Sequence, residues 1–281
     1  MKWVNFMKEK YIDIEKSIIK KYRKDIWSKF VKGIKNYELL APDDSVAICI
    51  SGGKDSFLLA KCMQELERHG MFNFDLKFIV MNPGYSSGTI REIKKNAKIL
   101  NIPINIFKTD IFAVSTKLNE NNPCYLCARM RRGYLYDYAK SLGCNKIALG
   151  HHFDDVIETI LMSILYGAEF KTMMPKIKSK NFKGMELIRP LYLVSEDAII
   201  SWASYNKLIF LNCSCKFAEK EINSKRKEIK ELIKELNINN KYIKSNIFKS
   251  TENVNLKTII SYKNNNKIFH FLDNYKEKSD K

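Results

Sequence analysis

The chain has 281 residues, enough to bury a full core as one large domain with appendages or as two small ones, and it carries a formal net charge of +18. No segment approaches the roughly 18 to 20 continuous apolar residues of a membrane span, and the charged N-terminus lacks a signal peptide's apolar stretch, so a soluble, cytoplasmic protein with no membrane partner is expected. Seven cysteines, an odd number, read in that reducing setting as metal ligands, reactive thiols or core residues and not as disulfides.

Charge divides the chain into three parts: residues 1–40 carry +6, 41–215 carry +5 and 216–281 carry +7. A weakly charged middle between basic ends suits a catalytic core with cationic arms for a polyanion, because each neutralised phosphate releases counterions. A plain Lys- and Asn-rich bias with solvated helix faces is the competing reading. The expected organisation is a basic helical N-terminal arm (1–40), a catalytic domain (41–216) and a basic helical C-terminal extension (217–281).

In chain order, residues 3–38 place Ile12, Ile19, Ile26, Phe30 and Ile34 at helical spacing between Lys and Arg, which predicts a basic amphipathic helix. Tyr22, Trp27 and Phe30 within it could stack on RNA bases, but packing against the core is preferred. Pro42 and Asp43-Asp44 then punctuate the change to a β-branched strand at 46–50, and Ser51-Gly52-Gly53-Lys54-Asp55-Ser56 follows as a tight loop before a helix over 57–68. Glycines permit close backbone approach, and the first N–H groups of a helix are unsatisfied donors that attract an anion. The spacing is not that of a Walker A loop.

Further strands are predicted at 76–80, near 104–107 and at 146–149, with helices at 89–100, 128–141 and 154–166. This alternation predicts an α/β fold, a doubly wound parallel sheet, with ligands at the carboxyl ends of its strands, where Ser51 and Gly150 fall. Between the third strand and its successor lies Pro123-Cys124-Tyr125-Leu126-Cys127-Ala128-Arg129-Met130-Arg131-Arg132-Gly133. Two thiols at this spacing can grip one metal or cluster, and neighbouring arginines favour thiolate. After the strand at 146–149 comes Gly150-His151-His152-Phe153-Asp154-Asp155, where one of the two carboxylates suffices to cap the next helix and the other, with the two histidines, is surplus to that role. The remaining cysteines divide by context. Cys49 and Cys62 read as core residues, Cys144 as incidental in a helix-end turn, and Cys213 or Cys215 as a third ligand completing a cluster.

The six residues 51–56 resemble the PP-loop of the N-type ATP pyrophosphatases, which have the adenine nucleotide alpha hydrolase-like fold, and GHHFDD resembles the signature of the tRNA-modifying members of that superfamily. With the CxxCxRxRRG segment, Tyr166-Gly167, Met174-Pro175-Lys176, Ile188-Arg189-Pro190-Leu191 and the late cysteine pair, residues 45–216 resemble the tRNA 2-thiocytidine synthetase family. The resemblance implies ATP, Mg2+ and a 4Fe-4S cluster as cofactors. It implies tRNA as substrate and a sulfur donor such as a cysteine desulfurase, and a homodimer is compatible with it.

Carried over residue by residue, Ser51, Gly52, Gly53, Lys54, Asp55, Ser56, Gly150 and His151 would border the nucleotide. Asp55, Asp155 and His152 would handle Mg2+ or protons, and Cys124, Cys127 and Cys215 would hold the cluster with one iron open for sulfur. Arg129, Arg131, Arg132, Arg189, Lys225 and Arg226 would meet RNA. The implied reaction replaces the C2 oxygen of an anticodon-loop cytidine with sulfur through an adenylated intermediate. Asn212-Cys213-Ser214-Cys215 is one residue shorter than the family's Pro-Cys-x-x-Cys, so either cysteine aligns, and the divergent segment after it leaves the base and the tRNA set open. A lysidine-synthetase-like amidating ligase, which needs neither Cys124 nor Cys127, and a zinc-stabilised RNA-binding module without chemistry are the alternatives.

Overall fold

The structure, a computed structural model, describes residues 2–70, 72–111, 123–211, 222–265 and 267–275. The N-terminal segment is helical as predicted, but as two helices, α1 (Lys2–Ile19) and α2 (Ser28–Asn36), joined through a π-helical turn at Arg23–Trp27. The buried residues Ile14, Ile18, Tyr22, Ile26, Phe30 and Ile34 explain the break. They recur every fourth position, so on an ideal helix the stripe would drift by about 40° per step. The turn, in which both Ile26 N–H and Trp27 N–H reach the Tyr22 carbonyl, absorbs an extra residue and keeps the stripe on the core. Phe30 is fully buried and Tyr22 nearly so, with the Tyr22 hydroxyl donating to the Ser201 carbonyl at 2.9 Å, which favours packing over base stacking.

A six-stranded sheet runs in the order β3-β2-β1-β4-β6-β5, built from β1 (Ser45–Cys49), β2 (Asp75–Asn82), β3 (Ile104–Lys108), β4 (Lys146–Ala148), β5 (Lys176–Lys178) and β6 (Glu186–Ile188). All pairings are parallel except β5 with β6. The parallel sheet read from the alternation is therefore corrected at one edge, where two three-residue strands are too short to carry a pattern.

Helices α3 (Lys54–His69), α4 (Ser87–Ile99), α5 (Pro123–Ser141), α6 (Phe153–Gly167) and α7 (Glu196–Tyr205) surround the sheet. Alternate residues of β1 enter opposite cores. Val46 and Ile48 pack with residues of α1, α2, α3, α4 and α7, while Ala47 and Cys49 pack with Tyr136 and Ala139 of α5. Helices thus cover both faces, the doubly wound arrangement. The N-terminal helices share the first core and are also tied to α3 by Lys61, fully buried and bonded to Glu15 and to the Leu100 carbonyl.

At the opposite end of β1 and β4, Asp44 accepts from Ala41 N–H at 2.7 Å, from Lys146 at 2.6 Å and from Asn145 at 2.7 Å. Burial pushes the Asp44 carboxyl up, but Lys146 and these donors hold it below the usual carboxylate range. This knot aligns Val46 with Lys146 and Ile48 with Ala148, so the loops leaving the two strands emerge side by side where the sheet order reverses.

The C-terminal extension contributes α8 (Ile222–Asn239) and α9 (Ile243–Ser250), then a hairpin of β7 (Ser261–Asn264) and β8 (Lys267–His270) and a short α10 (Phe271–Tyr275). Ile229 and Ile233 of α8 pack on Ile157 of α6, and Phe248 of α9 packs on Val156, Ile160 and Tyr192. Each such burial contributes roughly 1.5–3 kcal/mol, enough to fix α8 against the loop after β4. No helix among the described residues is long and apolar enough to cross a membrane.

Candidate active site

The loop after β1 is shaped by one glycine more than the other. Gly52 has φ +96°, and a Cβ there would lie 3.0 Å from Ile93 and 3.0 Å from Leu211. Gly53 is extended (φ −83°, ψ 163°) and caps α3 with no side-chain bond, so the first N–H groups of α3 stay open for an anion. A Cβ on Gly53 would meet nothing closer than Ser51 Oγ at 3.7 Å, so its smallness matters only once a ligand approaches. Ser56, read as a phosphate contact, also braces the loop: its buried hydroxyl receives Ser51 N–H at 3.2 Å and donates to the Gly53 carbonyl at 2.9 Å. Gly150 seats the second loop on the first, since a Cβ there would come 3.0 Å from Ser56 N and 3.1 Å from Asp55 C.

The second loop is a reciprocal cap. His152 Nδ1 accepts from Asp155 N–H at 3.4 Å, and Asp155 Oδ2 accepts from His152 N–H at 3.0 Å, opening α6. Asp154 turns the other way, accepting from Glu196 N–H at 2.7 Å and from Lys244 at 2.8 Å, and so ties the starts of α6, α7 and α9 together. His152 Nε2 lies between two carboxylates, 3.5 Å from Asp155 and 3.9 Å from Asp55. Burial would raise the Asp155 carboxyl, yet His152 beside it and the Arg226 guanidinium hold it below its ordinary value. Burial lowers His151 to about 4, against the pull of Asp155 and with help from Arg189, so its imidazole is neutral at pH 7, and its Nδ1 is buried without a hydrogen-bond partner among the described residues.

The two loops face one cleft of about 490 Å³ lined by Lys54, Asp55, His152, Asp155, Glu158 and Arg226, among others. Lys54 sits 3.2 Å from Asp55 and 3.1 Å from Glu196, and although burial opposes its charge, these two carboxylates raise its pKa. Arg226, read as an RNA contact, reaches into this cleft from α8 and pairs with Glu158 at 2.7 Å and Asp155 at 3.1 Å. Burial works against its charge, and the carboxylates outweigh it. Lys230, one turn on, pairs with Glu196.

Sequence reasoning missed Glu158, Glu196 and Lys230 as members of the site. Glu158 had a signal in its place one turn after Asp154-Asp155, while Glu196 and Lys230 are brought in by tertiary packing alone.

The donor set suits ATP with Mg2+. Among the described residues no three His, Cys, Asp or Glu side chains converge as a protein-only metal cage. Mg2+ ordinarily takes one or two carboxylates and completes its shell with phosphate oxygens and water. Asp55 and Asp155, on either side of His152, supply such a pair, with Asp55 Oδ1 3.2 Å from the Lys54 ammonium and 3.9 Å from His152 Nε2.

The remaining expectations fall elsewhere. Cys124 and Cys127 lie three positions apart near the start of α5, a thiol pair suited to one iron-sulfur cluster, but their side chains and that of Arg129 are outside the described residues, as are Cys213 and Cys215 entirely. Arg131 makes contacts of its own, and exposed Arg132 and buried Arg189 belong to a separate cleft. Lys225 is exposed, its ammonium 5.2 Å above the Tyr166 ring. Cys49 and Cys62 are buried free thiols, as expected of core residues, and Cys144, read as incidental in its turn, is buried in the core as well; burial raises all three and takes Cys49 to about 12.

Comparison with known proteins agrees with this geometry. The PP-loop domain family matches residues 23–236. The tRNA-cytidine(32) 2-sulfurtransferase of Pelobacter propionicus is 33% identical over 225 residues, spanning 79% of this chain and 83% of that protein. Its counterpart from Coxiella burnetii is 34% identical over 231 residues, spanning 79% and 87%. Among solved structures, the U34-tRNA thiolase NcsA from Methanococcus maripaludis, with its 4Fe-4S cluster, superposes with a TM-score of 0.64 at 24% identity, covering 80% of this chain and 76% of that one, and so shares the fold. With the loop after β1, the GHHFDD cap and the matched relatives all in agreement, this chain belongs to the PP-loop domain family and, within it, to the tRNA-cytidine(32) 2-sulfurtransferases.

Proposed function

We propose that the chain catalyses ATP-dependent thiolation of tRNA, exchanging the C2 oxygen of the cytidine at position 32 for sulfur. The observation that carries this reading is the single cleft in which the open N-terminus of α3, the His152–Asp155 cap and Arg226 meet at the ends of β1 and β4. The cytidine O2 attacks the α-phosphorus of ATP, the bond to the bridging oxygen breaks, and pyrophosphate leaves. A sulfur nucleophile then adds at C2, the C2–O bond breaks, and AMP departs with the original oxygen.

The chain's part is positioning and charge. The N–H groups of α3 and Lys54 would receive the departing pyrophosphate. Asp55 and Asp155 would hold Mg2+ against the phosphates, with His152 fixing the distance between them. Arg226, already poised on Asp155, would exchange that carboxylate for the charge growing on the α-phosphate. Neutral His151 would add no positive charge beside the activated base. Cys124, Cys127 and either Cys215 or Cys213 would hold a 4Fe-4S cluster, which when bound supplies an open iron site to deliver sulfur. The sulfur would come from a partner such as a cysteine desulfurase or from free sulfide, and a tRNA substrate places the work in the cytoplasm.

The test separates the two roles open to Arg226. Arg226→Ala is expected to lower tRNA-dependent AMP formation by roughly a hundredfold or more, the scale seen when one preorganised donor to a transition state is lost, with tRNA affinity little changed and partial recovery in Arg226→Lys. Normal AMP formation with weakened tRNA binding would return Arg226 to the RNA surface and remove it from the site.

A further inference from the structure

A second cleft, of about 780 Å³, lies between α5 and the β5–β6 hairpin, with Arg132 and Tyr136 on one wall and Lys178, Lys180, Phe182 and Arg189 on the other. Its lining holds four cations and no carboxylate among the described residues. Arg189 is only 7% exposed; one guanidinium nitrogen donates to the Met174 carbonyl, while Nε is buried with no acceptor among the described residues. Burial first, and Arg132 second, bring its pKa down to about 10, so it stays charged at neutral pH. Asp155, whose charge also reaches Arg189, is already engaged by Arg226.

A buried guanidinium with an idle donor and a like charge beside it is costly unless an anion enters. The sheet order says which anion fits. ATP phosphates belong at the loop after β1, whereas Arg189 follows β6, two strands away and so roughly 10 Å off at the usual strand spacing. Between them lies the loop after β4, over which the reacting base must sit.

We propose that this cleft seats a phosphodiester of the tRNA strand next to the target nucleotide, gripped by Arg132 and Arg189. This rests on the thiolation reading, because it makes the tRNA the polymer that spans both clefts. Held there, the strand enters from the side opposite ATP, and its neighbouring base is presented to the α-phosphate.

The test uses the whole protein, a synthetic anticodon stem–loop RNA and a non-hydrolysable ATP analogue. Arg132 is exposed, so Arg132→Ala is expected to fold. It should weaken RNA binding by about tenfold or more and reduce the slope of log affinity against log salt by about 0.7 to 0.9, with analogue affinity unchanged. Arg189→Lys, which keeps the charge but loses the fork, should show a smaller loss in the same direction. A neutral methylphosphonate at a phosphate flanking the target cytidine should reproduce the loss in the wild-type protein and add nothing to Arg132→Ala. Unchanged RNA affinity and slope in both variants would overturn the proposal, as would a fall in analogue affinity matching that in RNA affinity. A wild-type protein that shows the full RNA pattern yet forms no thiolated cytidine would uphold the cleft and overturn the thiolation reading.

Discussion

Gly52→Val is expected to abolish nucleotide use, with AMP and pyrophosphate formation falling more than about a hundredfold, the scale of losing preorganised donors. Gly52 sits at φ +96°, where a β-branched residue is strained, and its Cβ would press on Ile93 and Leu211 at 3.0 Å. Both neighbours are side chains that pack the loop, so the insertion displaces the N–H groups of α3 as well as straining the backbone. Gly53→Ala is the informative companion. Its extended backbone and open surroundings allow it to fold with near wild-type stability, and any loss of ATP affinity then reports phosphate against that backbone. Thermal unfolding and tRNA-dependent AMP release on the two variants check the contrast. Wild-type AMP formation by Gly52→Val would remove the loop from the nucleotide site.

Cys124→Ala and Cys127→Ala are each expected to lose iron, brown colour and thiolation while the fold survives, because one missing thiolate leaves a three-cysteine cluster labile. Cys49→Ala, Cys62→Ala and Cys144→Ala should keep iron, since those thiols are buried, raised in pKa and engaged in packing. Of the late pair, Cys215→Ala should behave like the CxxC variants, and Cys213→Ala should retain at least partial activity. Iron content and thiolated-nucleoside yield, measured anaerobically, distinguish them. The reverse ranking would make Cys213 the third ligand, and full activity in every variant would take the cluster out of the chemistry.

Much of this architecture was legible because it is local. The β-branched run before Ser51, the glycine pair and the GHHFDD cap each announce a strand end and a helix start within ten residues, and the alternation of elements follows from them. What was illegible depends on distance in the chain. Nothing in Lys225-Arg226-Lys227 reveals that one of three adjacent cations turns inward to Asp155 and Glu158 while Lys225 stays exposed, because helical phase against α6 decides it. Glu196, far along the chain, joins the site where its N–H meets Asp154 and its carboxylate meets Lys54 and Lys230. The glycine that bears the strain could not be told from its neighbour, since both satisfy the same pattern and only φ separates them. The three-residue strands β5 and β6 lie below the length at which alternation can be read, yet β6 delivers Arg189.

The most direct test of the central claim is mass analysis of tRNA nucleosides from a strain lacking this chain, complemented with the wild-type protein or with Gly52→Val. Thiolation of cytidine requires that 2-thiocytidine disappear on deletion, return with the wild type and stay absent with Gly52→Val. Persistence of 2-thiocytidine in the deletion strain, or loss of a different modification such as lysidine, would contradict it.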